Sequence, residues 1–221
     1  MPDIAQNLAL LRNELPGHVR LVAVSKNHPP ERIMEAYRAG QRIFGENRVQ
    51  ELVAKQEVLP ADIEWHLIGH LQTNKVRFIV PFVSMIHSVD SYRLLLEISK
   101  EAVQHNRIVD CLLQMHIARE ETKFGLDRTG LSALLESVRR DPPPGIRIRG
   151  LMGMASLTED LGQVRTEFQV IHSFFKELQA GFFSGSDCFN ELSTGMSGDY
   201  TVAVQEGSTL VRIGTRIFGH R

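Results

Sequence analysis

Apolar positions in this chain cluster in eight short runs rich in β-branched residues, nearly all followed by a stretch with helical spacing. The runs cover 19–26, 42–47, 64–70, 85–89, 111–117, 148–154, 188–194 and 209–215. After the first, P-P-E-R-I-M-E-A-Y-R-A-G places prolines at a helix entry and Gly40 at its exit. The second is followed by the amphipathic R-V-Q-E-L-V-A-K-Q-E, and the third by a short helix from Thr73. Leu95, Leu96, Ile98 and Val103 mark a helix over Tyr92–Gln104, and further helices are predicted over 131–139 and about 163–179. An extra helix opens the chain, with Ile4, Leu8, Leu11 and Leu15 on one face. Strand–helix alternation implies parallel strands joined by helical crossovers. Eight such units in 221 residues fit a single closed (β/α)₈ barrel better than an open doubly wound sheet. The units follow one another so tightly that one domain is expected over 1–221.

Composition narrows the classes. Hydrophobic residues make up 43% and charged residues 23%, enough for a full-sized core. A formal net charge of −1 lacks the basic surface that non-specific nucleic-acid binding needs, so no nucleic-acid partner is expected. No apolar run reaches the 18 or so residues of a bilayer span, and the start M-P-D-I-A-Q lacks the basic-then-apolar order of a secretory signal. Cys111 and Cys188 sit in apolar runs without metal-ligand spacing and are expected as buried thiols of a cytoplasmic protein.

Barrel chemistry concentrates at the carboxyl ends of the strands, which singles out three features. Lys26 closes V-A-V-S-K in phase with Val22 and Val24, so all three point to one side of the sheet. Desolvation at a barrel mouth would lower its pKa toward that of an imine-forming amine; the plainer reading is a lysine reaching solvent. Two Ser/Thr/Gly clusters, S-T-G-M-S-G-D from Ser193 and G-S-T-L-V-R-I-G-T from Gly207, end the seventh and eighth runs, where barrel enzymes often bind phosphate. Turns have the same composition. Arg212 lies between apolar neighbours in phase with Leu210 and Gly214. If that face is the interior, its charge needs a partner: a carboxylate such as Glu191 or Glu46, or a ligand acceptor. His66, His70, His87 and His116 fall in or beside the runs, but no acidic or cysteine ligand set accompanies them, so no metal is expected. The common nucleotide-cradle motifs and the G-x-S-x-G elbow are missing.

Several longer motifs occur in order: V-A-V-S-K at 22–26, F-G-E-N-R-V-Q-E at 44–51, W-H-L-I-G-H-L-Q-T-N-K at 65–75, L-M-G-M at 151–154, L-S-T-G-M-S-G-D at 192–199 and V-R-I-G-T-R-I-F-G at 211–219. Together they resemble the YggS/PROSC family of pyridoxal 5′-phosphate homeostasis proteins over essentially the whole chain. The resemblance implies a barrel similar to the alanine racemase N-terminal domain. It implies a Schiff base between Lys26 and pyridoxal phosphate, with Ser193, Thr194, Gly214 and Thr215 around the phosphate. Arg212 would face the ring nitrogen and Asn47 would lie beside the ring, with His66 and Met154 as pocket walls. Many relatives have S-M-G-M-S where this chain has S-T-G-M-S, so Thr194 either adds a hydroxyl to the phosphate site or points away.

The same resemblance frames the choice between enzyme and carrier. A guanidinium only donates hydrogen bonds, so Arg212 would favour an unprotonated ring nitrogen and weaken the cofactor as an electron sink. The sequence ends at Arg221, directly after its last barrel unit, without the second domain that supplies alanine racemase with its other base. The expectation is a non-catalytic cytoplasmic protein that buffers or delivers pyridoxal phosphate, with PLP-dependent apo-enzymes as partners, and a monomer or weak homodimer. The rivals are a weak amino-acid racemase, for which Tyr200 is the nearest second base, and a cofactor-free interaction barrel that would leave Lys26 and Arg212 unexplained.

Overall fold

The computed structural model describes residues 3–120 and 124–219. Each of the eight apolar runs contains or overlaps one strand: β1 (Arg20–Val24), β2 (Ile43–Glu46), β3 (Glu64–Leu67), β4 (Met85–Val89), β5 (Val109–Met115), β6 (Ile146–Gly153), β7 (Glu191–Ser193) and β8 (Leu210–Ile213). They pair in chain order, all parallel, and β8 returns to β1 to close the barrel. The crossovers carry helices α2 (Pro30–Arg38), α3 (Val49–Gln56), α4 (Val76–Ile79) after a 3₁₀ turn at Thr73–Lys75, α5 (Tyr92–Gln104), α6 (Arg128–Arg140), α7 (Leu161–Ala180) and α8 (Tyr200–Gln205). α1 (Ile4–Glu14) precedes β1 and α9 (Thr215–Phe218) follows β8.

Alternation along the strands sorts side chains into two layers. Outward-facing residues such as Phe44, Trp65, Ile86 and Val211 join the helices in the main core. Inside the barrel, Val22, Met85, Leu112, Met152 and Leu210 form a smaller apolar cluster. Two residues further along, on the same inward face, come Val24, His87, Gln114 and Arg212, with Met154 just past the end of β6. The interior therefore turns polar toward the carboxyl ends.

The helix predicted at the start is present. Asp3 caps α1 by accepting from the Gln6 amide, Ile4, Leu8 and Leu11 are buried, and the helix packs against α2 and α9. Leu15 lies just past its end. Two expectations need adjustment. Cys111 is buried, and burial pushes its thiol well up, but Cys188 is only half-buried because it lies in the turn before β7. The first and third runs also overstate their strands: β1 stops at Val24 and β3 at Leu67, which leaves Lys26 and His70 in loops. The break after β1 is a turn closed by the His28 amide on the Ser25 carbonyl at 3.0 Å.

Candidate functional site

A cavity of about 270 Å³ opens at the carboxyl ends of the strands. That is just below the usual range for small-molecule sites, roughly 300 Å³ upward. Val24, Lys26, His28, Asn47, Ile68, Met154, Met196, Ser197, Gly198, Arg212, Gly214 and Thr215 line it. Residues from the first, second, third, sixth, seventh and eighth units thus converge on one space. Lys26 reaches it from the turn after β1, and Asn47 follows β2 directly. Close packing holds Asn47 in place: a Cβ at Gly69 would stand 2.3 Å from the Asn47 carbonyl oxygen, so only glycine lets the two loops touch. The Asn47 Oδ1 atom is buried without a hydrogen-bond partner. An orphaned acceptor on a cavity wall is suited to a ligand donor.

Arg212 is buried, and neither Glu191 nor Glu46 is its partner. Glu191 bonds Arg20 at 2.6 Å and Arg149 at 3.4 Å, while Glu46 bonds Lys55 at 2.7 Å. One Arg212 terminal nitrogen donates to the Ser193 carbonyl at 2.8 Å and the Ser193 hydroxyl at 2.5 Å, and the other donates to the Gly153 carbonyl at 3.0 Å. Burial lowers its pKa to about 10, partly offset by Asp199, so it keeps its charge at neutral pH.

Behind Arg212 runs a buried relay. His87 Nδ1 lies 3.1 Å from Ser193 Oγ, and His87 Nε2 lies 2.9 Å from His66 Nδ1. A guanidinium can only donate, so Ser193 Oγ accepts from Arg212, and the arrangement that also uses its own O–H points it at His87 Nδ1. His87 then carries its proton on Nε2 and donates to His66 Nδ1. This assignment follows from the hydrogen-bond pattern, and it needs both rings neutral. Burial favours that state: it lowers the His66 pKa to about 3 and, with His66 and Arg212 nearby, takes His87 well below its ordinary value.

Five of the seven residues singled out from the sequence, Lys26, Asn47, Arg212, Gly214 and Thr215, meet on the cavity. Ser193 and Thr194 do not. β7 ends at Ser193, whose side chain points inward to Arg212, and Thr194 is buried with its carbonyl accepting from the Ser208 hydroxyl at 2.9 Å. The chain reaches the cavity three residues later, at Met196, Ser197 and Gly198. Ser197 Oγ also accepts from the Gly214 amide at 3.2 Å, which ties the loops after β7 and β8 together. Sequence reasoning quoted Ser197 and Gly198 within the cluster but did not choose them; their phase relative to the end of β7 was the missing signal. Met154 lies on the wall as expected, and His28 and Ile68 were not foreseen. His66 lies below the wall, in the relay. His70 has turned away, 3.5 Å from Asp90 and stacked on Phe124. Among the described residues no group of three His, Cys, Asp or Glu stands close enough to hold a metal ion. Tyr200 is also elsewhere: its hydroxyl bonds Glu14 and Arg216, and burial together with Glu14 pushes its pKa up to about 12.

The family described as "Alanine racemase, N-terminal domain" matches residues 1–221. This chain belongs to that family. Pyridoxal phosphate homeostasis proteins are similar to it: that of Aquifex aeolicus is 41% identical over 91% of this chain and 87% of its own length, and that of Escherichia coli is 37% identical over 100% and 98%. These relatives are named for homeostasis and not for a catalysed reaction. Among solved structures, PipY of Synechococcus elongatus with PLP bound superposes at a TM-score of 0.88 with 43% identity, over 98% of this chain and all of that one. An alanine racemase from Streptomyces coelicolor superposes at 0.78 with 19% identity, over 99% of this chain and 58% of its own, a likeness of fold alone. Among the described residues no helix is long and apolar enough to cross a membrane.

Proposed function

We propose that this alanine-racemase-like barrel binds pyridoxal 5′-phosphate in the 270 Å³ cavity and serves intracellular PLP homeostasis by buffering or delivering the cofactor. One observation carries the reading: an amine, a buried guanidinium, an orphaned amide oxygen and a glycine-rich rim face the same small space. These groups suit the cofactor, which would bring an aldehyde, a ring nitrogen, a ring hydroxyl and a phosphate. Lys26 would hold the aldehyde carbon through its amine. Arg212 donates toward the ring nitrogen, and Asn47 Oδ1 accepts beside the ring. The phosphate lies against Ser197, Gly198, Gly214 and Thr215, where glycine lets backbone amides approach an anion and the first amides of α9 have no acceptor within the helix. Ser193 acts one step back by fixing Arg212, and Thr194 supports the loop through Ser208.

Carrier function is favoured over catalysis. Arg212 cannot accept a proton, so it holds the ring nitrogen unprotonated, and the relay behind it offers no carboxylate to reverse that. Tyr200, the rival second base, is engaged by Glu14 and Arg216. We place the protein in the cytoplasm, as a monomer or weak homodimer, with PLP-dependent apo-enzymes as recipients.

The test is the visible absorption spectrum of the protein with pyridoxal phosphate, followed by borohydride reduction and peptide mapping. A yellow band trapped on the Lys26 peptide is expected. Label scattered over surface lysines, or no band, overturns the ligand assignment. Racemase turnover at ordinary enzyme rates, lost in Lys26→Ala, overturns the carrier assignment.

A further inference from the structure

Outside the barrel wall, between β2 and α3, lies a cluster of charged side chains that does not touch the cavity. Lys55, on α3, is buried, and its ammonium directs its three hydrogens at three acceptors: the Ser25 carbonyl at 2.8 Å, Glu46 Oε1 at 2.7 Å and Glu51 Oε1 at 2.7 Å. Ser25 Oγ donates to the same Glu46 oxygen at 2.6 Å, and the Asn27 amide donates to Glu51 Oε1 at 2.5 Å. The two residues on either side of Lys26 are thus fastened, one by its carbonyl and hydroxyl, the other by its amide.

Asn27 has φ +61°, in the left-handed region, which asparagine adopts more readily than other non-glycine residues. The Glu51 bond to its amide fixes the turn in that conformation. The charges are also arranged against simple stability. Glu46 is fully buried with Oε2 unpartnered, and burial raises its pKa against the opposing pull of Lys55. Burial also works against ionised Glu51, but its bonds to Lys55 and the Asn27 amide prevail and its pKa falls. Apolar residues of similar volume often stabilise a fold as well as a buried ion cluster does, whereas ion clusters can fix geometry.

We propose that Glu46, Glu51 and Lys55 are positioning residues: they clamp the Ser25–Lys26–Asn27 turn so that the Lys26 amine enters the cavity ready to condense with an aldehyde. The inference rests on the assignment of Lys26 as the imine-forming residue. In that step the amine and the aldehyde form a C=N bond and release one water. A misplaced amine slows and weakens this condensation while leaving the rest of the ligand's contacts in place.

The experiment compares two ligands on the full-length protein. Pyridoxal 5′-phosphate can condense with Lys26; pyridoxine 5′-phosphate has a hydroxymethyl group in place of the aldehyde and cannot. Dissociation constants for both are measured by equilibrium dialysis for the parent, Glu51→Ala, Glu51→Gln and Lys26→Ala. Glu51 is partly exposed, so its replacement is compatible with folding, and thermal unfolding confirms this in the same samples. Glu51→Ala should weaken the aldehyde ligand at least fivefold and change the alcohol less than twofold. Glu51→Gln keeps an oxygen for the Asn27 amide and should restore the aldehyde ligand to within twofold of the parent. Equal weakening of both ligands, or no change in either, overturns the proposal. If Lys26→Ala abolishes the aldehyde preference but Glu51→Ala does not, the clamp alone falls. If Lys26→Ala leaves the preference intact, the reading of Lys26 falls and takes the clamp with it.

Discussion

Two polar clusters support the cavity from opposite sides of the barrel wall, and they are built on opposite electrostatic plans. Inside, a single permanent charge on Arg212 is followed by three groups that stay neutral, Ser193, His87 and His66, joined in one chain of hydrogen bonds. Outside, Lys55 is gathered with two carboxylates, and one buried oxygen of Glu46 is left over. The inner cluster fixes the direction of its protons; the outer one fixes the path of the backbone. A donor-only cation can bias the tautomers of a buried chain when one of its acceptors is a hydroxyl, because that hydroxyl is left with its own hydrogen to place. An ammonium among carboxylates sets no such direction, but it can hold three chain segments at once.

The largest effect should come from breaking the outer cluster at its centre. Lys55→Met leaves Glu46 buried and unpaired, and stability should fall by about 3–5 kcal/mol, the range for a buried pair that loses one partner. Urea unfolding measures it. A loss below about 1 kcal/mol would mean that Glu46 is protonated in the folded protein and the outer cluster is not ionic.

The inner relay should respond next. His87→Leu strands the Ser193 hydroxyl and His66 Nδ1, and a buried unsatisfied group costs about 1–3 kcal/mol each. The same variant removes the partner that orients the Ser193 hydroxyl beneath Arg212, so affinity for pyridoxine 5′-phosphate should also drop. Unchanged affinity would show that Arg212 is held by the Ser193 and Gly153 carbonyls alone.

Acid should separate the two plans. His66, with a pKa near 3, and His87 stay neutral when folded but take up protons near 6.5 when unfolded. Between pH 6.5 and about 3 the unfolded state therefore binds more protons, and stability falls as pH falls, by up to about 1.4 kcal/mol per pH unit per histidine. Glu46 has a raised pKa, so it acts in the other direction: the folded state takes its proton first, and its contribution is present at low pH and lost as pH rises. His66→Gln should flatten the acid slope, and Glu46→Gln should steepen it. A slope unchanged in His66→Gln would contradict a neutral relay.

Ser193→Ala should be the mildest change. Arg212 keeps the two carbonyls while His87 loses one hydrogen bond, for about 1 kcal/mol. Thermal unfolding with and without pyridoxal phosphate reads both the stability and any loss of cofactor hold.

These clusters also show where reading the sequence stops. Period-2 alternation placed Val22 and Val24 on one face and Arg212 in phase with Leu210, which agrees with the barrel, whereas Lys26 lies past the end of β1 and reaches the cavity from a turn. Apolar spacing located most of the helices, and a proline entry with a glycine exit bounded α2. All of these signals are local, spanning a few residues. Alternation does not say who the partner is. The relay joins His66 to His87 across 21 positions and His87 to Ser193 across 106, so no spacing rule reaches it. Glu191 and Glu46 were reasonable partners for Arg212 by charge, yet Glu191 lies at the amino-terminal end of β7, bonded to Arg20, and Glu46 faces outward, to Lys55. The seventh unit misled by phase alone: its glycine-rich cluster was recognised, but the end of β7 at Ser193 turns that residue inward and passes the cavity wall to Ser197 and Gly198.

By itself the sequence determined the eightfold strand–helix order, the end of the barrel that carries chemistry, and the amine and guanidinium placed there. Those follow from hydrophobic period, turn residues and strand direction, which act within one element. Only the closed barrel decided which residues line the cavity, which neutral tautomers stand behind Arg212, and what grips the turn at Lys26. Closure brings strands from distant parts of the chain within hydrogen-bond reach, and burial then fixes the protonation of whatever meets there.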